Sequence, residues 1–258
     1  MISAPFQDLR QSLPHKLQPY LQEQDIKDTS GHSGAKVFQL GNKAYLKIDQ
    51  KGKLKEEAIL IKWFEQVHLG VNLLEYISTD RDYLLTKAAD SQNALAFLNQ
   101  PKQLCQTFAK ALKELHQLKP EHFPVTDRLN RYRAIAEQNY QSGTFYEKAL
   151  LPYFGISDRK AAHALIKEKG HLLTADTFIH GDACLPNLIL KDAQTFSCFI
   201  DVGLAGFSDK HIDLYWTIWS LHYNLETDAY IDYFLDCYGR DTVDLEKLQL
   251  VAAFEAFG

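Results

Sequence analysis

The sequence predicts an α+β chain in two lobes, a small mixed-sheet lobe with one helix followed by a larger, mainly helical lobe. Three observations carry the prediction. Short β-like runs crowd the region from about Ile26 to Leu85, helical periodicity dominates beyond Thr86, and two acidic segments lie within the helical part. Those segments are His180-Gly181-Asp182-Ala183-Cys184-Leu185-Pro186-Asn187 and Asp201-Val202-Gly203.

Each element has its own signal. Val37 to Leu40, Ala44 to Ile48, Leu73 to Ser78 and Asp82 to Leu85 are short strand-like runs. Among them, Lys53 to Val67 places apolar residues at 54, 58, 60, 61 and 64, with Trp63 nearby, which approximates a helical stripe. Pro101 suits the first turn of a helix, and Leu104, Phe108, Ala111, Leu112 and Leu115 then recur at spacings of three and four. Further helices are expected near 126–140, 157–170, 209–223, 227–238 and 243–255. Leu188-Ile189-Leu190 and Cys198-Phe199-Ile200 read as two short strands bracketing a turn near Asp192. The lobe boundary is expected between residues 86 and 87, giving lobes 1–86 and 87–258.

Composition narrows the class. A chain of 258 residues, 46% hydrophobic and 24% charged, can bury a sizeable core and is globular. The longest apolar-rich stretch, Ile212 to Leu225, is broken by Asp213, Ser220, His222 and Asn224. It falls short of the roughly 20 residues that span a bilayer. Met1 to Ser12 has polar and acidic residues where a signal peptide would be apolar, so a cytoplasmic protein without a membrane partner is expected. Four scattered cysteines form no Cys-x-x-Cys pair and indicate neither a disulfide framework nor a zinc ribbon. The net charge of −5 divides as +1 over residues 1–87 and −6 over residues 88–258. That balance disfavours nucleic acid and suits a cationic ligand, although a solvated acidic surface would show the same balance.

The acidic segments carry the chemistry. Asp182 can accept a proton from a hydroxyl, and Asn187 and Asp201 offer hard oxygen ligands for Mg²⁺, the acidic end of a phosphoryl-transfer site. Upstream, Ser30-Gly31-His32-Ser33-Gly34-Ala35-Lys36-Val37 offers exposed amides and the Ser33 hydroxyl for phosphate oxygens. By itself such a turn suits any β-hairpin, and it is not a Walker A loop. Lys47 lies on the next strand and Glu57 on the next helix, in the order a kinase-type lysine and its helix carboxylate require.

Here the chain resembles the aminoglycoside 3′-phosphotransferase family of the protein-kinase-like superfamily. The resemblance rests on Gly31-x-Ser33-Gly34-Ala35-Lys36-Val37-Phe38, Tyr45-Leu46-Lys47, Glu57 with Trp63, and Tyr83-Leu84-Leu85-Thr86. It continues through His180-Gly181-Asp182 with Asn187, and Phe199-Ile200-Asp201-Val202-Gly203 followed by Asp209 and Asp213. The resemblance implies a bilobal protein-kinase-like fold and transfer of the γ-phosphoryl group of ATP or GTP, with Mg²⁺, to an aminoglycoside hydroxyl, most simply at the 3′ position. It implies that Lys47 binds phosphates, Glu57 orients Lys47, Tyr45 stacks on adenine, and the main chain of Lys87 to Ala89 meets the adenine edge. Asp182 would be the catalytic base, Asn187 and Asp201 the metal ligands, and Asp213 the brace of the catalytic loop. Glu226, Glu255 and Gly258 would bind the polycationic acceptor. A monomer or weak dimer is expected. Family members usually carry acidic residues near His222-Tyr223-Asn224 and end in an acidic pair plus an aromatic residue, whereas this chain ends Phe254-Glu255-Ala256-Phe257-Gly258. Alternative readings are another small-molecule kinase of the same fold, acting on choline, homoserine, a sugar or another antibiotic, and a non-catalytic nucleotide-binding pseudokinase. A protein kinase is not expected, because the gap from Asp201 to Asp213 holds no peptide platform.

Overall fold

The computed structural model describes residues 12–21, 26–31, 34–119 and 124–258. They form two compact units. The first comprises the described residues up to Asp90 together with Cys198–Gly203; the second comprises Ser91–Ser197 and Leu204–Gly258. The segment carrying Asp201 thus belongs with the first unit, although the boundary drawn from sequence groups it with the second.

The first unit is built on strands β1 (Ile26–Asp28), β2 (Lys36–Leu40), β3 (Ala44–Gln50), β4 (Leu73–Ser78) and β5 (Arg81–Lys87). They lie in the order β1-β2-β3-β5-β4, each neighbouring pair antiparallel. Alternation along β3 buries Ala44, Leu46 and Ile48 and turns Tyr45, Lys47 and Asp49 to the other face, the period-two consequence of a pleated strand. Phe38, Leu40, Leu46, Ile48, Tyr83 and Leu85 share a core with Leu13, Leu17 and Leu21. Helix α1 (Lys55–Gln66) packs against β4 and buries Leu60, Ile61, Trp63 and Phe64. Gly70 lies so close to this helix that a Cβ there would come within 2.5 Å of the Phe64 Cβ. The close approach lets the chain after α1 meet the 198–203 segment. The Phe199 N–H donates to the Leu69 oxygen at 2.8 Å, and the Phe199 ring meets Phe64 edge-on at 6.4 Å.

The second unit holds α2 (Pro101–His116), α3 (Arg128–Ser142), α4 (Arg159–Lys169), α5 (His211–Leu225), α6 (Ile231–Tyr238) and α7 (Leu245–Glu255). Pro101 occupies the first turn of α2, and the Asp158 and Asp244 side chains cap α4 and α7 by accepting two backbone N–H groups each. Helix α2 packs on α6, and both α4 and α5 pack on α7. Strands β7 (Thr177–Ile179) and β10 (Gly206–Ser208) pair antiparallel. A second small sheet has the order β6-β8-β9, with β6 at Gln92–Asn93, β8 at Leu188–Asp192 and β9 at Thr195–Phe199. Among the described residues no helix is long and apolar enough to cross a membrane.

Candidate active site

In the first unit, Lys47, Glu57 and Asp201 meet. The Lys47 ammonium donates to both Glu57 carboxylate oxygens, at 3.0 and 2.9 Å, and to Asp201 Oδ1 at 3.1 Å. Burial alone would lower the affinity of Lys47 for its proton, but the two carboxylates outweigh it and hold the ammonium above its usual range. The lysine therefore stays cationic. Two backbone features make the cluster possible. Asp201 adopts the left-handed region with φ 54°, which an aspartate tolerates better than most side chains. At Gly203 a Cβ would lie 3.3 Å from Glu57 Oε2, so the missing side chain leaves room for the carboxylate.

Tyr45, on the same face of β3, is 37% exposed and lies outside the apolar core. The Lys87 N–H donates to the Asn72 oxygen and the Ala88 N–H to the Lys43 oxygen. Those two donors are engaged within the unit. Ser33 lies outside the described residues.

In the second unit, Asp182 sits on a loop that follows β7. Gly181 has φ 86°, and a Cβ there would fall 2.1 Å from the Leu204 oxygen, so only glycine fits. The Asp182 N–H donates to His180 Nδ1 at 3.2 Å, which makes His180 a shaping residue of the loop. Asn187, in a short 3₁₀ turn, donates from Nδ2 to Asp182 Oδ2 at 2.8 Å and to the Asp182 main-chain oxygen at 3.0 Å.

One face of α5 holds this loop. Asp213 accepts the His180 N–H through Oδ2 and the Gly181 N–H through Oδ1, both at 2.7 Å. Thr217, one turn on, donates to the Ala183 oxygen at 3.0 Å, and Ser220 Oγ accepts the Leu185 N–H at 2.9 Å. The sequence did not single out His116, whose Nε2 donates to Asp213 Oδ2 at 3.0 Å while Nδ1 meets the Tyr238 hydroxyl at 2.8 Å. No local signal marks it, because Asp213 is 97 residues away in the chain. Asp209 is a second buried anchor. It accepts the His211 ring at 2.6 Å, the Thr174 N–H at 2.9 Å and the Lys247 ammonium at 2.9 Å. Burial opposes its ionisation, yet these donors hold its carboxyl well below the usual range.

Glu255, at the end of α7, is buried beside Asp182. Burial pushes its carboxyl up to about 8; the Asp182 charge adds to the shift, while the polar groups of Tyr132 and Trp216 nearby oppose it. Gly258 lies against it, since a Cβ at 258 would come within 2.9 Å of Glu255 Oε2. Glu226 is exposed just beyond α5 with φ 53°.

A lysine clamped by a helix carboxylate on an antiparallel sheet, and a helix-braced His-Gly-Asp loop with its asparagine, define a phosphotransferase of the protein-kinase-like fold. Comparison with known proteins agrees. The model of the phosphotransferase enzyme family matches residues 26–251, and the chain belongs to that family. A probable aminoglycoside 3′-phosphotransferase of Lactococcus lactis subsp. lactis is 38% identical over 253 residues, covering 96% of each chain. An aminoglycoside 3′-phosphotransferase of Niallia circulans is 27% identical, covering 88% of this chain and 90% of the other. Among solved structures, an aminoglycoside phosphotransferase of Streptomyces rimosus superposes with a TM-score of 0.79 at 20% identity, over 100% of this chain and 99% of that one.

Proposed function

We propose that the chain transfers the γ-phosphoryl group of ATP or GTP to a hydroxyl of an aminoglycoside, most simply the 3′-hydroxyl. The observation that carries this reading is Lys47, a cation held between Glu57 and Asp201 beside an exposed Tyr45. Relatives named aminoglycoside 3′-phosphotransferases support the acceptor class, and a related solved structure is described as a complex with ADP and streptomycin.

Residues 1–86 supply the nucleotide lobe and residues 87–258 the catalytic and acceptor lobe. Lys47 binds phosphate oxygens, with Glu57 setting its direction. Tyr45 stacks on the base, whose edge meets the Lys87 carbonyl and the Ala89 N–H. Asp201 and Asn187 each offer a hard oxygen to Mg²⁺, and Asn187 spends its amide nitrogen on Asp182, which leaves its oxygen for the metal. When bound, Mg²⁺ neutralises negative charge on the phosphates.

Asp182 aligns the acceptor O–H and takes its proton, its carboxylate held in one orientation by Asn187 Nδ2. Glu255, Glu226 and Gly258 receive the acceptor's ammonium groups. A second reading, another small alcohol as acceptor, is favoured by the neutral or weakly basic run His222-Tyr223-Asn224, where relatives are expected to be acidic. ADP release from Mg·ATP against an acceptor panel tests both. Stimulation by kanamycin or neomycin is expected; stimulation by choline, homoserine or a simple sugar alone would replace the aminoglycoside reading, and no stimulation at all would remove the enzyme reading.

A further inference from the structure

Helices α3 and α4 line an open recess in the second unit. Arg133, Ala136 and Glu137 on α3, and His163, Ile166 and Lys167 on α4, stand at spacings of three and four, so each trio shares one face of its helix. The Phe254 ring of α7 and the exposed His171 add to the lining. The recess has a volume of about 330 Å³, enough for a small organic molecule. None of these residues belongs to the groups gathered around Lys47 or Asp182.

Two polar groups here are held in place without being fully used. Arg133 Nη2 donates to the Gly170 oxygen at 2.9 Å and to the Leu173 oxygen at 2.8 Å, which fixes the guanidinium at the end of α4. The carboxylate of the recess is committed elsewhere: Glu137 accepts the Gln141 amide at 2.8 Å and the Lys167 ammonium at 2.9 Å. Those two donors hold the Glu137 carboxyl below its usual range. Lys167 and Glu137 therefore offset each other, and the charge of Arg133 is left over. His163 is the second group. Its ring stacks on Tyr140, with centroids 3.4 Å apart and 3° between the planes, which sets its direction. Its Nε2 is buried with no hydrogen-bond partner, since Glu137 Oε2 stands 3.8 Å away, beyond bonding reach. Buried polar atoms are nearly always paired, so this nitrogen is a contact point for a ligand oxygen when it carries the ring proton.

We propose that the recess binds a small organic carboxylate. The carboxylate group meets the Arg133 guanidinium and His163 Nε2, and the apolar body lies on Ala136, Ile166 and Phe254. Charge and shape together select this class. A cation is repelled by Arg133 and Lys167. A wholly apolar molecule would shut water away from the guanidinium and the imidazole nitrogen without replacing its hydrogen bonds. A bare inorganic anion would leave the apolar wall wet and most of the volume unfilled. One uncompensated cation matches one negative charge, so a carboxylate suits the recess better than a phosphate monoester with nearly two. This binding is separate from phosphoryl transfer and does not rest on the acceptor reading.

Titration of the full, isotope-labelled chain with benzoate, acetate and benzylamine, followed through its backbone amides by nuclear magnetic resonance, tests the site. Benzoate should give saturable shifts at the amides of 133–137 and 163–171. Acetate has the charge without the apolar body and should bind at least about five-fold more weakly; benzylamine, a cation of similar size to benzoate, should leave those amides unmoved. His163→Phe keeps a ring against Tyr140 but removes the nitrogen, and should weaken benzoate about five-fold, the worth of one hydrogen bond to a charged group. Lys167→Ala, at an exposed position, frees Glu137 to offset Arg133 and should weaken benzoate about three-fold. Absence of saturable benzoate shifts at those amides would overturn the proposal. So would binding of acetate or benzylamine as tight as that of benzoate, or an unchanged benzoate affinity in both variants. Because only binding is read, failure of the phosphotransferase reading would leave the result intact.

Discussion

A carboxyl group that is buried next to another carboxylate holds its proton to unusually high pH, and Glu255 is such a group. Its carboxyl is pushed up to about 8 by burial, with the Asp182 charge adding to the shift. The raised value sets the sign of two pH effects. Between the usual carboxyl range near 4.5 and about 8, the folded chain keeps a proton that the unfolded chain releases, so Glu255 makes stability fall as pH rises through that window. A cationic acceptor prefers the ionised form, so its binding at pH 7 expels the proton. Calorimetric titration of kanamycin in two buffers of different ionisation enthalpy should therefore show the wild type releasing up to about one more proton than Glu255→Gln. Equal proton counts in the two proteins would mean that Glu255 does not meet the acceptor's charge. Where Glu255 sits could not be read from the sequence: its burial arises from α7 packing against α4 and α5, three segments that are distant along the chain.

At the scale of elements, α5 is the organising helix of the second unit. Asp213, Thr217 and Ser220 hold the catalytic loop from one face, and Trp216, Trp219 and Tyr223 occupy another. In the sequence Asp213 and Ser220 stand out as polar interruptions of an apolar run, and the structure gives the reason for those two. Each satisfies backbone groups of a loop that has no ladder of its own. His116 supports this arrangement from α2. His116→Leu removes one partner of a fully buried pair, a loss worth about 2 kcal/mol, which corresponds to a thermal midpoint lower by roughly 4–8 °C. His116→Gln, which can still donate to Asp213, should recover much of the midpoint and more of kcat than KM. Calorimetric scans showing the Leu variant as stable as the wild type would refute the role. The helices and the four longer strands of the first unit were legible because period 3.6 and period 2 are local signals. Strands β6, β7 and β10, of two or three residues, were not, because their pairing partners lie far along the chain and so short a run has no period. Of the site residues, Lys47, Glu57, Asp182, Asn187 and Asp201 announced themselves as motifs. The partners that aim them, Gly203 against Glu57 and His116 against Asp213, emerge only from packing.

At the scale of the whole molecule, the charges divide the labour. The first unit carries Lys47 with its two carboxylates, and the second, with 16 Lys and Arg against 20 Asp and Glu and so a net charge of −4, carries Asp182, Asn187 and Glu255. Neither unit holds both Lys47 and Asp182, so the proposed phosphoryl transfer calls for the full chain. The family model spans 26–251 and the Lactococcus relative aligns over 96% of the chain, so the likeness covers both sets of residues. The central claim is that these residues move one phosphoryl group from ATP to an aminoglycoside hydroxyl. Mass spectrometry of kanamycin incubated with Mg·ATP and the full chain tests it most directly. The account predicts a singly phosphorylated kanamycin with the wild type, formed at least about 100-fold more slowly by Asp182→Asn. Unmodified kanamycin after complete conversion of ATP to ADP, or equal rates of phosphorylation in the two proteins, would contradict it.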